Sequence, residues 1–254
     1  MMVDADQESV FETLQPGSMN AVTFQNDCRI VTADDLAGLH DLVGKRILVT
    51  AGPTYEPIDA VRFLGNRSSG KMGFEIATQA RWRGAAVTLV TGPAALPDPV
   101  AVEVIRVETA AEMAGHVLDR YPGVDAVVMA AAVADYRPSN PVQGKLKKGA
   151  GPQSIRLERT IDILAELGKR KERQVLVGFA AETSSVESEG RRKLTEKNLD
   201  LIVVNEVGKP GTGFGSDTSR AALLAAAGGD VGLRVWTKAE LAAVICDRLG
   251  AALT

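Results

Sequence analysis

The segment 61–73 reads VRFLGNRSSGKMG, and it gathers several hydrogen-bond donors at what reads as a strand-to-helix crossing. Arg62, Asn66, Arg67, Ser68 and Ser69 supply polar side chains, while Gly70 and Gly73 allow close backbone approach. The segment follows a buried-strand pattern at 46–51 and the turn Gly52-Pro53-Thr54, and it leads into a helix predicted over 71–83. In a parallel α/β sheet, ligands collect at the carboxyl ends of strands, where helix N-termini direct free N–H groups at anions. A phosphorylated or carboxylated ligand suits that position. A plain capped helix start, with Gly73 packed on the sheet, accounts for the glycines but does not call for Arg62, Asn66 and Arg67.

Other clusters carry chemistry of the same kind. The run MAAAVADYRP at 129–138 ends a buried strand in small residues and then an acid. Its alanines, Ala131 and Ala132 among them, let a ligand lie on the backbone, and Asp135 could hold a ribose hydroxyl or a magnesium ion. Tight packing and a turn residue would explain the same letters. GKLKKG at 144–149 places Lys145, Lys147 and Lys148 in a glycine-bounded loop, which suits a cationic flap over a polyphosphate as well as a solvated basic loop. Thr160, Ile161, Asp162, Ile163 and Leu164 open a helix whose free N–H groups could receive phosphates, and Phe179 ends a strand where it could stack on a base. Lys193 and Lys197 share a helical face. Capping, core packing and a solvated face are the plain readings of these three features.

The elements that must position these residues alternate. Strands are predicted over 46–51, 86–91, 102–107, 125–130, 154–157, 174–180 and 201–205, with helices over 71–83, 110–120, 161–170 and 186–197. Several strands are continuous Val/Ile/Leu/Ala runs, the pattern of a sheet covered on both faces. The fold class expected is therefore α/β, a Rossmann-like, doubly wound and mostly parallel sheet. A C-terminal hairpin over 221–226 and 231–235 precedes a last helix that begins at a Thr237/Glu240 capping box and runs to about residue 252. Residues 1–30 break every period and are expected to be a poorly ordered lead-in; a short helix over 34–43 follows, and 31–254 is read as one domain.

Composition removes other classes. A net charge of -3 argues against a nucleic-acid or acidic-membrane surface, and no apolar run approaches the roughly 20 residues that span a bilayer. Cys28 and Cys246 are far apart, so free thiols in a reducing cytoplasm are expected. With His40 and His116 the only histidines, neither a His/Cys metal site nor a Ser-His-Asp triad is supported. The sequence lacks G-x-G-x-x-G at the first crossing, where Pro53 stands, and lacks G-x-x-x-x-G-K-[ST].

In order, TAGPTYEPID, VRFLGNRSSGKMG, AAVADYRP, KLKK, GFAAET and KNLDLIVVN resemble the phosphopantothenate–cysteine ligase family, over about 45–249. The resemblance implies two steps. The carboxylate of 4'-phosphopantothenate attacks the α-phosphate of CTP, giving an acyl-cytidylate and pyrophosphate; the amine of L-cysteine then displaces CMP. It implies catalytic roles for Asn66, which holds the acyl intermediate for the amine, and for Lys145, which favours nucleotidyl transfer. Arg62, Ala131 and Ala132 are implied as substrate contacts. Gly52, Asp135, Lys145, Ile161, Asp162, Ile163, Leu164, Phe179, Lys193 and Lys197 are implied as CTP contacts, with Ile161 standing where the family has proline. Mg²⁺ is the implied metal, near Asp135, and a homodimer with sites near the subunit interface is implied. The family ligase is often fused behind a flavin-dependent decarboxylase; no such domain, and so no FMN, is expected here. A nicotinamide- or flavin-dependent oxidoreductase is the second reading, disfavoured by the missing glycine fingerprint. A non-catalytic nucleotide-binding module is the third, opposed by the intact Asn66 and Lys145 motifs.

Overall fold

The computed structural model describes residues 40–147, 154–208 and 215–254. His40–Thr254 is a compact unit. The expectations for 1–30 and for most of the 34–43 helix lie outside the described residues, and the end of that helix pattern, from residue 40, is a turn. In chain order the elements are β1 (Arg46–Ala51), β2 (Tyr55–Pro57), β3 (Phe63–Gly65), α1 (Lys71–Trp82), β4 (Ala86–Thr91) and β5 (Glu103–Arg106). There follow α2 (Ala110–Arg120), β6 (Ala126–Met129), β7 (Tyr136–Pro138), β8 (Leu157–Arg159), α3 (Ile163–Lys169) and β9 (Val175–Glu182). The chain ends with α4 (Val186–Glu196), β10 (Leu201–Glu206), β11 (Thr218–Ala225), β12 (Val231–Thr237) and α5 (Lys238–Leu253).

Eight strands form one sheet in the order β12-β11-β10-β9-β6-β1-β4-β5. From β5 across to β10 every pairing is parallel, and β11 and β12 close one edge as the expected antiparallel hairpin. β1 lies between β4 and β6, so the first crossover, through α1, goes one way and the later strands go the other. Such a reversal splays the loops at the carboxyl ends of the two middle strands and leaves a crevice there.

Period-2 alternation decides what each face buries. Ile47, Val49 and Ala51 of β1, with Val128, Val177 and Val203, face a core completed by Phe74 and Ile76 of α1 and Leu241 and Ile245 of α5. Leu48, Val127, Leu176 and Ile202 face a second core with Met113 and Val117 of α2, Ile163 and Leu167 of α3, and Val186 and Leu194 of α4. Each fully buried large aliphatic side chain here contributes about 1.5–3 kcal/mol. Two helices therefore cover one face and three the other, as the apolar strand runs require. Capping boxes start two of them, Thr109 with Glu112 and Thr237 with Glu240.

Two short ribbons depart from the sequence reading. β2 pairs with β3, and β7 with β8, outside the main sheet. The strand predicted over 154–157 is displaced to Leu157–Arg159, where all three residues are exposed. Apolar Ile155 and Leu157 both stand on the surface. Strands of three residues are too short to show a period. The helix predicted from 161 instead begins at Ile163, because the Asp162 side chain caps it by accepting the Ala165 N–H at 3.0 Å.

Candidate active site

The crevice at the carboxyl ends of β1, β6 and β9 holds a cavity of about 430 Å³. Its wall includes Asn66, the loop from Met129 to Asp135, residues Thr160 to Leu164, Phe179, Lys193 and Lys197. Five segments separated in sequence thus meet at the position where the strand order reverses.

The wall is built on threonines at the end of β1. Thr50 Oγ1 accepts the Ala131 N–H at 3.1 Å, and Thr54 Oγ1 accepts the Ala134 N–H at 2.9 Å. The Ala132 N–H donates to the Gly52 carbonyl at 2.8 Å. Thr50 and Thr54 are fully buried, so these bonds lie in a low-dielectric setting that makes them costly to break. The Asn66 amide then bridges back, donating to the carbonyls of Ala132 at 3.2 Å and Val133 at 3.0 Å. Two carbonyl acceptors fix which end of the amide is nitrogen and leave its oxygen to accept from a ligand donor. On the far side, Thr160 Oγ1 donates to the Ala134 carbonyl at 2.5 Å and the Thr160 N–H to the Asp135 carbonyl at 3.0 Å.

Lys193 of α4 and Lys197, which caps the C-terminal end of that helix, reach the cavity with carboxylate partners. Lys193 pairs with Glu182 at 2.5 Å and Lys197 with Asp162 at 2.8 Å. Burial pushes the Asp162 carboxyl up, but its bonds from Lys197 and the Ala165 N–H outweigh this and hold it below the usual range. Asp135 lines the cavity and is exposed, with no ion pair among the described residues. Asn205 of β10 also lines it, and its Oδ1 is buried without a hydrogen-bond partner among the described residues. Among the described residues, no cluster of three or more His, Cys, Asp or Glu could hold a metal. A lone carboxylate such as Asp135 fits Mg²⁺ that arrives with a polyphosphate, since that ion is bound by one or two carboxylates plus phosphate oxygens and water.

Three anticipated residues lie elsewhere. Gly52 sits behind the wall, where an added Cβ would meet the Gly92 backbone at 3.0 Å, so it supports the site without lining it. Arg62 and Lys145 are also absent from the cavity wall of the protomer. Arg62 is held by buried Asp59, whose Oδ2 accepts Arg62 Nε at 3.0 Å, while Arg62 Nη2 donates to the Leu146 carbonyl at 3.1 Å. The Leu146 N–H donates to Asp59 at 3.0 Å, and the Val142 N–H to the Ile58 carbonyl. Lys145 therefore stands exposed on a loop strapped to the β2–β3 ribbon through Asp59. The Arg62 guanidinium, helped by three backbone N–H groups, holds the Asp59 carboxyl well below the usual carboxylate range. Lys148 lies outside the described residues.

Sequence reasoning overlooked Asp59, Glu56, Asn205, Lys71 and Lys238. Glu56 is buried in β2 and accepts the Ala110 N–H at 2.8 Å, tying the ribbon to the start of α2. An acid inside the family-like stretch TYEPID was the available signal for Glu56 and Asp59; nothing local marked Lys238. Cys246 is buried, and burial pushes its thiol up to about 12, so no thiolate nucleophile is available there.

Comparison with known proteins agrees with this geometry. Residues 42–252 match the family model described as DNA/pantothenate metabolism flavoprotein C-terminal domain. The chain is 44% identical over 211 residues to the coenzyme A biosynthesis bifunctional protein CoaBC of Bacillus subtilis, covering 83% of this chain and 52% of the relative. It is 45% identical over 222 residues to the protein of the same name from Mycobacterium tuberculosis, covering 83% and 53%. The chain thus spans about half the length of the curated relatives it matches. A crystal structure of the C-terminal domain of a coenzyme A biosynthesis bifunctional protein CoaBC superposes with a TM-score of 0.72 at 43% identity, covering 84% of this chain and 98% of that one. The fold, the ordered motifs and these likenesses together place the chain in the DNA/pantothenate metabolism flavoprotein C-terminal domain family.

Proposed function

We propose that the chain is a ligase of coenzyme A biosynthesis, joining 4'-phosphopantothenate to L-cysteine with CTP as the activating nucleotide. The convergence of Asn66, the 129–135 loop, the start of α3 and the two α4 lysines on one cavity carries this reading. A carboxylate is a poor acyl donor. Attack of its oxygen on the α-phosphorus of CTP expels pyrophosphate and leaves a mixed anhydride, whose carbonyl carbon the cysteine amine then attacks. CMP departs and the amine loses a proton, so no enzyme-bound covalent intermediate is required.

The residues divide this work by position. Lys193 and Lys197 place charge where a triphosphate would lie along the open N–H groups of Ile163 and Leu164, while Phe179 offers a ring face to the base. Mg²⁺ beside Asp135 would neutralise polyphosphate charge. The Asn66 oxygen is placed to accept from the incoming amine, and Ala131 and Ala132 let the acyl chain lie against backbone. Lys145 reaches a phosphate either by closure of its loop or from a second copy of the chain. A homodimer is supported by exposed Phe63, Val61, Tyr136, Leu157 and Ile155, all on or beside the two short ribbons. No helix among the described residues is long and apolar enough to cross a membrane, and a reduced-thiol substrate suits the cytoplasm.

The oxidoreductase reading fares worse. β1 leads into Gly52-Pro53 and then a ribbon before α1, with no tight glycine turn to seat a dinucleotide pyrophosphate. The deciding assay follows pyrophosphate release over a panel of nucleoside triphosphates with phosphopantothenate and cysteine. CTP should support release that requires phosphopantothenate, with amide formation requiring cysteine. Absence of release with every nucleotide would overturn the proposal.

A further inference from the structure

The cavity has a second pair of lysines, contributed from the opposite face of the sheet. Lys193 and Lys197 come from α4, which packs with α2 and α3; Lys71 and Lys238 come from α1 and α5, which pack together on the other side. The two pairs differ in how their charge is balanced. Each α4 lysine has its own carboxylate. Among the described residues, Lys71 and Lys238 have one between them: Asp217 bonds Lys71 at 2.6 Å, and the half-buried Lys238 bonds the buried hydroxyl of Ser219.

Both lysines occupy the first position of a helix. There the macrodipole presents a partial positive charge, so a cation is unfavourable. No acidic residue stands in the first turn of α1, and Glu240, the one acid in the first turn of α5, is occupied by its capping box with Thr237. Burial and the neighbouring Lys71 charge both push the Lys238 ammonium below its usual value, with Asp217 only partly compensating. Among the described residues, two helix N-termini, two lysines and a single carboxylate leave excess positive charge on this wall of the cavity. Packing does not demand such an arrangement, since an uncharged side chain would fill the place of Lys238 without the repulsion. An anion in the cavity would relieve it.

We infer that Lys238, steadied by Ser219 and backed by Lys71, binds a phosphate group of a ligand in the main cavity, on the side opposite Lys193 and Lys197. The inference rests on the ligase reading only for the source of that phosphate. One source is the triphosphate of the nucleotide and the other is the phosphate monoester of the acyl substrate; two lysine pairs on facing walls suit a reaction that brings both phosphorylated ligands together.

The test compares wild type, Lys238→Met and Lys238→Arg by calorimetric titration. The probes are inorganic phosphate, inorganic pyrophosphate, CTP, cytidine, phosphopantothenate and pantothenate. Lys238→Met should weaken at least one phosphate-bearing probe about tenfold or more, the loss of one hydrogen bond to a charged partner. It should leave the corresponding unphosphorylated probe unchanged, and Lys238→Arg should restore most of the affinity. Loss for CTP alone assigns the nucleotide, and loss for phosphopantothenate alone assigns the acyl substrate. The Met variant should also melt no lower than wild type, because it removes a repelled charge. Unchanged affinity for every phosphorylated probe, equal weakening of phosphorylated and unphosphorylated partners, or a wild type that binds no phosphate-bearing probe would overturn the inference. If wild type binds inorganic pyrophosphate in a Lys238-dependent way but neither CTP nor phosphopantothenate, the ligase reading fails and the anion site stands.

Discussion

Asn66 shows how much a single amide can fix. Its nitrogen is spent on two carbonyls of the 129–135 loop, so under the proposed function the oxygen is what remains for the reaction. In Asn66→Asp a carboxylate would face those carbonyls with nothing to donate. The acyl-cytidylate should then accumulate while amide formation fails, as mass spectrometry of quenched mixtures would reveal; equal slowing of both half-reactions would contradict the assignment. Lys145→Gln should slow formation of that intermediate by roughly 10²-fold or more if its charge meets the developing phosphoryl charge, measured as pyrophosphate release in a single turnover. Asp59 acts through others. Because its folded-state pKa is depressed, the stabilisation it gives is complete above the unfolded value near 4 and is lost as pH falls below it. Acid unfolding of wild type below about pH 4 should be steeper than that of Asp59→Asn. The same variant, with Arg62 and the Lys145 loop released, should raise the KM for phosphopantothenate between pH 5 and 8, where wild-type Asp59 does not titrate. A KM equal to wild type would remove Asp59 from positioning the loop.

At the scale of elements, the approach of α1 to β1 is set by one missing methyl group. A Cβ on Gly73 would lie 2.6 Å from both Ala51 Cβ and the Thr50 carbonyl oxygen, deep in the packed interface. Gly73→Ala should cost about 1–3 kcal/mol of stability, read as a lowered Tm, and should shift α1 and with it Lys71. Gly73 is thus a packing glycine, while Asn66, Ser68 and Ser69 of the same motif line the cavity. Gly70 in the same motif carries a φ of 79° before α1, a conformation that favours glycine. Long elements were legible because their apolar runs and capping boxes are local signals. The β2–β3 and β7–β8 ribbons were not, since three residues carry no periodicity and their pairing is decided by bonds to distant chain, such as Glu56 to Ala110.

For the molecule as a whole, the strand order determines the site and the ribbons determine what surrounds it. Val61, Phe63, Tyr136 and Leu157 leave an apolar surface that a lone chain would show to water. If these ribbons form the dimer contact, Phe63→Glu should convert the species seen by analytical ultracentrifugation from dimer to monomer and should depress activity with it. A wild-type monomer at micromolar concentration would remove the proposed dimer.

The residues by themselves were enough to establish the α/β class, the strand–helix alternation with its terminal hairpin, and the ordered motifs that mark the family, because each is written in short-range pattern and composition. They also singled out Asn66, Asp135, Phe179, Lys193 and Lys197, which the fold gathers at one cavity. Only the tertiary structure decided that Gly52 lies behind the wall, that Asp59 straps the Lys145 loop, and that Lys238 faces the same space as Asn66. Those facts depend on which strands lie side by side and which face each helix covers. Contacts between distant segments of chain leave no period in the sequence, and a lysine that opens a helix reads alike whether it meets water or a cavity.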